Sequence, residues 1–147
     1  MKKIILTIFL IVNGFIFANE GNNNRLVPKN DSTKFNIENC VNQFSLLDTV
    51  KTKVGYQYWF VDKHFLDGRT LKMSVVEPHK ATHEPHKHLE DEFFFVLEGT
   101  AEFILNGKTA IGKQYSSFYC PPGSLHGIKN IGDTELKYLV IKKYILD

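Results

Sequence analysis

Two stretches decide how this 147-residue chain reads: His86-Lys87-His88-Leu89-Glu90-Asp91-Glu92 and, thirty-four residues after Glu92, His126 at the end of Pro121-Pro122-Gly123-Ser124-Leu125-His126. Side chains alternate along an extended segment, so His86 and His88 present their imidazoles to one face. Glu92 follows four positions after His88, and His126 comes from a distant segment. Together they form a set of three nitrogens and one oxygen. Imidazole favours zinc, copper, iron or nickel, and carboxylate tolerates manganese, so the set suits one first-row divalent metal. Four protein ligands leave an octahedral ion two positions for water or substrate. That is the layout of a reactive site and not of a closed structural one.

Outward from these stretches the chain reads as short strands joined by turn signals. Tyr56–Asp62 is followed by Asp67-Gly68, then by Leu71–Glu77, with Leu71, Met73 and Val75 on one face. Glu92–Leu97 precedes Glu98-Gly99. Ala101, Phe103 and Leu105 share a face up to Asn106-Gly107, a strong two-residue hairpin signal. Phe118–Cys120 ends at Pro121-Pro122-Gly123, His126–Asn130 turns at Gly132-Asp133, and Leu136, Tyr138 and Val140 alternate in the last strand. Many short strands at near-regular spacing predict an all-β sandwich or barrel. Inward positions on neighbouring strands would then bring His86, His88, Glu92 and His126 together without help from a loop. The same parity sets Phe94 and Val96 behind Glu92 and Ile128 beside His126 as the dry wall of a pocket.

The spacing resembles that of a known family. His86-x-His88-x3-Glu92-x6-Gly99 resembles the first cupin motif, and Pro121-x-Gly123-x2-His126-x3-Asn130 resembles the second. The resemblance covers about Leu71 to Tyr144. It implies a single-domain jelly-roll β-barrel over 35–147, with His86, His88, Glu92 and His126 as ligands of one divalent transition metal (Fe, Mn, Zn or Ni). Two departures affect turns: Pro78-His79-Lys80-Ala81-Thr82 and Tyr115-Ser116-Ser117 stand where the family motifs open on glycine. Asn130 is expected to brace backbone. Tyr119, on the strand leading into the His126 turn, and His83, just before the paired histidines, are candidates with Phe94 and Ile128 for the substrate pocket. His79 reads as a solvated loop residue, and Glu90 and Asp91 as electrostatic support for a cation.

The ends read differently. Lys2 and Lys3 precede an apolar run from Ile4 to Phe17, and Ile16-Phe17-Ala18 offers a cleavage site. Residues 1–18 are therefore expected to be a signal peptide, with a periplasmic or secreted product. The run is short for a membrane span, so no stable insertion is expected after cleavage; an uncleaved anchor is the alternative. Residues 19–34 have almost nothing to bury and read as a flexible linker. Phe35 to Val50 is expected to form a short helix across one end of the domain. Loss of Lys2 and Lys3 leaves equal numbers of basic and acidic residues, which excludes a nucleic-acid partner that works by neutralising phosphates. Cys40 and Cys120 could pair in an oxidising compartment, but the preferred reading of Cys120 is a small buried thiol.

Such features admit two classes of function. One is a metalloenzyme of dioxygenase, isomerase, lyase or hydrolase type acting on a small oxygen-rich molecule, such as a sugar acid or phenolic. The other is a non-catalytic module that binds a sugar or other small molecule. A scaffold whose oligomer is the product is a weaker third. Phe93, Phe95 and Leu97 alternate with Glu92, Phe94 and Val96. If the latter face the metal, the former make an apolar outer stripe that monomers rarely expose. A homodimer, or the Phe35–Leu47 segment, is expected to cover it.

Overall fold

The computed structural model describes residues 35–146. The expected signal peptide and linker lie outside them. Nine strands follow in chain order: β1 (Val50–Thr52), β2 (Gly55–Leu66), β3 (Arg69–Val76), β4 (Glu92–Glu98), β5 (Ala101–Leu105), β6 (Lys108–Gly112), β7 (Ser117–Cys120), β8 (His126–Asn130) and β9 (Leu136–Lys143). All pair antiparallel, in a six-stranded sheet of order β1-β2-β3-β9-β4-β7 and a three-stranded sheet of order β6-β5-β8. This is the sandwich or barrel the alternation predicts. The hairpin at Asn106-Gly107 has both central residues left-handed (φ 49° and 79°), the twist that suits a two-residue loop between strands. The Asp67-Gly68 turn between β2 and β3 has the same form (φ 47° and 75°).

The main core lies between the sheets. Val76, Phe94, Val96, Ala101, Phe103, Cys120, Ile128, Leu136, Tyr138 and Val140 pack there. Asn130 closes one end of it. Fully buried, its Nδ2 lies 2.8–3.0 Å from the carbonyls of Val76, Glu77 and Thr134, and its Oδ1 accepts from Gly132 N at 2.9 Å. One side chain thus ties the end of β3, the loop after it and the turn before β9. This is the bracing role expected of it.

The two stretches that lack the family's glycines still adopt the conformation glycine favours. His79 has φ 60° and Tyr115 φ 67°, left-handed backbone that a side chain enters at a cost of about 1–2 kcal/mol. The turns are kept and the strain is carried by the rest of the fold.

A second cluster, Tyr58, Met73 and Val75 with Tyr56, Phe60, Leu97 and Leu139 against it, lies on the outer face of the large sheet. Part of its cover comes from the N-terminal segment. Phe44 meets Tyr58 edge-on at 5.1 Å between ring centroids, and Asn42 Nδ2 donates to the Phe60 carbonyl at 3.0 Å. The expected helix here is a single turn, α1 (Ile37–Cys40), capped by reciprocal Asn36–Asn39 bonds and ended by extended Val41. The apolar residues beyond it lack a helical period, so the chain runs on extended to satisfy β2, with a 3-10 turn at Leu46–Asp48. Farther across the same face, Phe93, Tyr119 and Ile141 remain 44–46% exposed.

Candidate metal centre

Pro85 donates no backbone hydrogen, so a regular ladder cannot run through the segment between β3 and β4. His86 and His88 accordingly stand outside the named strands, a correction to the expectation that strands alone carry the ligands. The segment is pinned instead. His86 and His126 exchange backbone bonds (2.9 and 3.0 Å), and Gly123 N donates to His88 O at 2.8 Å. Gly127 eases the approach, since a Cβ there would lie 3.3 Å from Pro85 Cα, tighter than an ordinary contact.

The four residues do converge. The ligand atoms of His86, His88 and His126 all lie within 4.8 Å of one another. Glu92 reaches His126 Nε2 with Oε1 at 3.2 Å and His88 Nε2 with Oε2 at 3.7 Å. Each imidazole is oriented by a backbone carbonyl two residues away: Nδ1 of His86 by Glu84 (3.2 Å), of His88 by Glu90 (2.7 Å) and of His126 by Ser124 (2.8 Å). A carbonyl only accepts, so each Nδ1 carries the proton and each Nε2 of a neutral ring keeps a lone pair. Outer hydrogen bonds of this kind fix the tautomer of metal-bound histidines.

The fit to a cation follows from what these lone pairs face. His88 Nε2 is buried with no hydrogen-bond partner. His126 Nε2 faces a carboxylate oxygen at 3.2 Å, an arrangement that a proton or a metal ion between the two satisfies. Burial, with help from the His126 and His88 rings and against the pull of the Glu84 carbonyl and Glu92, holds the His86 pKa below the usual histidine value. It is a neutral donor at neutral pH. Cys120 pairs with Glu92 across β4 and β7, and its sulfur lies within 4.8 Å of the Glu92 and His126 ligand atoms. Burial, then the Glu92 charge, pushes its thiol up to about 12, so it stands beside the set as a small neutral group. Cys40 is exposed and the two do not pair. Iodoacetamide is therefore expected to label Cys40 in the native protein and Cys120 only after unfolding, as peptide mass mapping would read.

A cavity of about 480 Å³ adjoins the set, with His86 and Glu92 in its wall. His83, Phe94 and Ile128 line it. Tyr119 does not: Cys120 faces inward, so strand parity turns its neighbour to the outer face, where Tyr119 packs on Phe93 at 4.8 Å. His79 lies elsewhere, paired with Asp133 at 3.0 Å on the surface. Glu90 contacts His88 Nδ1 and Lys142, and the Tyr119 hydroxyl donates to Asp91 at 3.4 Å. Sequence reasoning missed the polar wall of the cavity, including Lys72, Ser74, Tyr138 and Lys142. Its signal is the alternation of Lys72 and Ser74 with Leu71, Met73 and Val75: the apolar set faces outward onto the N-terminal segment, which leaves the polar set inside.

Residues 72–142 match the family model described as a cupin domain. Comparison with curated proteins finds no match. Among solved structures, the chain is similar to a predicted oxalate decarboxylase from Thermotoga maritima (25% identity, TM-score 0.57, 61% of this chain and 80% of that one). It is also similar in fold to a cupin 2 conserved barrel domain protein from Salinispora arenicola (18% identity, TM-score 0.59, 71% and 87% covered). A further likeness in fold is to a sugar phosphate isomerase of the cupin superfamily from Silicibacter pomeroyi (22% identity, TM-score 0.50, 54% and 52% covered). The paired motifs, the two antiparallel sheets and the match across β3 to β9 agree, and the chain belongs to the cupin superfamily.

Proposed function

We propose that this protein is an exported mononuclear metalloenzyme that acts on a small oxygen-rich molecule, a sugar acid or phenolic, within a jelly-roll barrel. The observation that carries the reading is the donor set: three imidazoles whose Nδ1 atoms are held by carbonyls, with Nε2 atoms converging beside Glu92. His86, His88, Glu92 and His126 would hold the ion. A divalent ion supplies Lewis-acid polarisation of a chelated hydroxy-carbonyl or carboxylate, and iron, manganese or nickel adds redox chemistry. The remaining residues shape the reaction space. Phe94, Ile128 and Val140 limit water, the Tyr138 hydroxyl lies 3.5 Å from the Thr82 hydroxyl as a polar contact in the wall, and His83 stands at the mouth. The name of the Thermotoga relative, an enzyme of a small dicarboxylate, supports an oxygen-rich acid as substrate. Screening metal-loaded protein for oxygen uptake, then against uronates and diketones, tests the reading. Binding without turnover across the screen would make it a non-catalytic module.

Export and assembly belong to the same proposal. Cleavage after Ala18 should give a mature N-terminus at Asn19 by mass spectrometry; an intact Met1 in the membrane fraction would favour an anchor. The open part of the outer face, with Phe93, Tyr119 and Ile141, is read as a dimer surface. Light scattering should give twice the monomer mass, and Phe93→Asp should halve it.

A further inference from the structure

The cavity wall holds an arrangement the metal does not require. β3 and β9 are neighbours in the large sheet, and their inward positions bring Lys72 and Lys142 into the cavity that Glu92 also lines. The outward positions of the same strands carry Leu71, Met73, Leu139 and Ile141. Lysines inside and aliphatics outside invert the usual preference, and an ammonium taken from water is costly unless it is paired. Pairing here is incomplete. Lys142, whose side chain is only 10% exposed, has Glu90 at 3.6 Å. Lys72 has no carboxylate at ion-pair distance among the described residues. Each ammonium also stands over a ring, Lys72 5.0 Å from the Trp59 centroid and Lys142 4.7 Å from that of Tyr144. A cation–π contact returns only part of the lost hydration.

The charges around the cavity do not balance either. Among the described residues, Lys53, Lys72 and Lys142 face it against Glu92, with Glu90 beside Lys142. Burial and the Lys142 charge lower the Lys72 pKa while Glu92 holds it up, so the two ammoniums share one region in which Lys72 leans on Glu92 and Lys142 has Glu90 as well. Once Glu92 is committed to a divalent ion held by neutral imidazoles, that carboxylate no longer offsets them.

We infer that Lys72 and Lys142 form an anion seat, and that the site's ligand is a small carboxylate whose charged end lies at the two lysines and whose hydroxyl-bearing end faces Glu92 and His86. The inference rests on the metal reading above only for the second end. Among the described residues, neither an arginine nor a helix N-terminus lines the cavity, so the two lysines carry its affinity for an anion, and Gln57, Ser74, Thr82 and Tyr138 offer partners for hydroxyls. About 480 Å³ admits a molecule the size of a monosaccharide.

Calorimetric titration of the purified protein with glucuronate, glucose and inorganic phosphate, with metal content assayed on the same sample, tests this. Glucuronate should bind tighter than glucose by about tenfold or more, the size of one charge-assisted bond. Phosphate should bind more weakly than glucuronate. Lys72→Met should abolish that preference with metal content unchanged, and Lys72→Arg should keep most of it. Should Lys72→Met fail to fold, Lys142→Met is read in the same way. Equal affinity for glucuronate and glucose, or no binding of either, overturns the inference, as does an unchanged preference in the methionine variant. Phosphate binding tighter than glucuronate overturns the carboxylate assignment. Lysine-dependent glucuronate binding by metal-free protein would sustain the seat and remove the metalloenzyme reading; a bound metal without anion preference would do the reverse.

Discussion

His88→Ala is expected to lower metal affinity by more than the roughly 10–100-fold that loss of an outer-shell partner costs, while the barrel stays folded. The two effects separate because His88 lies outside the named strands and the apolar core. Its Nε2 is buried without a partner, so removing the ring also removes an unsatisfied polar atom, and none of the core residues between the sheets is touched. Competition against a chromophoric chelator reads the affinity, and a thermal melt of the metal-free variant reads the fold. His83→Ala is the control: its ring stands 5.8 Å from that of His86 in the cavity wall, outside the donor set, and affinity should change less than about twofold. A His88→Ala variant that melts with the unfolded chain's signal at room temperature would instead mark the metal as structural.

The second large effect is on stability. Asn130→Asp should destabilise the fold by about 3–5 kcal/mol, the range for a buried charge left without a partner. The substitution sets a carboxylate oxygen where Nδ2 now faces the carbonyls of Val76, Glu77 and Thr134, all within 3.0 Å. The sign of its pH dependence follows. Three carbonyls favour the protonated acid, so the folded-state pKa of the new carboxyl lies above its unfolded value. The folded form then binds more protons, and the deficit relative to the natural protein shrinks as pH falls through that raised pKa. Chemical denaturation at neutral and at mildly acid pH checks both parts. Equal stability of the two proteins at neutral pH would mean that Asn130 does not hold the β3 and β9 ends together.

Much of this was legible because antiparallel strands write their burial into alternate residues. Ala101 and Phe103 are buried and Ile104 is not; Leu136, Tyr138 and Val140 are buried and Leu139 and Ile141 are less so. The four donor residues were legible for a different reason, since their spacing is a chemical requirement and not a packing preference. Other features were hidden. β3 has a packable face on both sides, so its alternation does not say which side meets the cavity; the N-terminal segment decides that from a distance. Tyr119, a pocket candidate for its place on the strand leading into the His126 turn, faces outward because its side depends on the register of Glu92 with Cys120. The single turn of α1 ends where bonds to Tyr58 and Phe60 favour extended chain, another contact made across the fold. Lys72 and Lys142 went unread because lysine on a strand ordinarily marks the solvent side.

One ion is expected to sit among three imidazoles and one carboxylate. X-ray absorption at the metal edge, on protein purified without a metal-affinity tag, tests it most directly. Near one equivalent of a first-row divalent ion is expected, with a shell of nitrogen and oxygen at about 2.0–2.2 Å and the multiple-scattering signature of three imidazoles. Purified protein that takes up no ion, or an ion with fewer than two imidazoles in its shell, would contradict it.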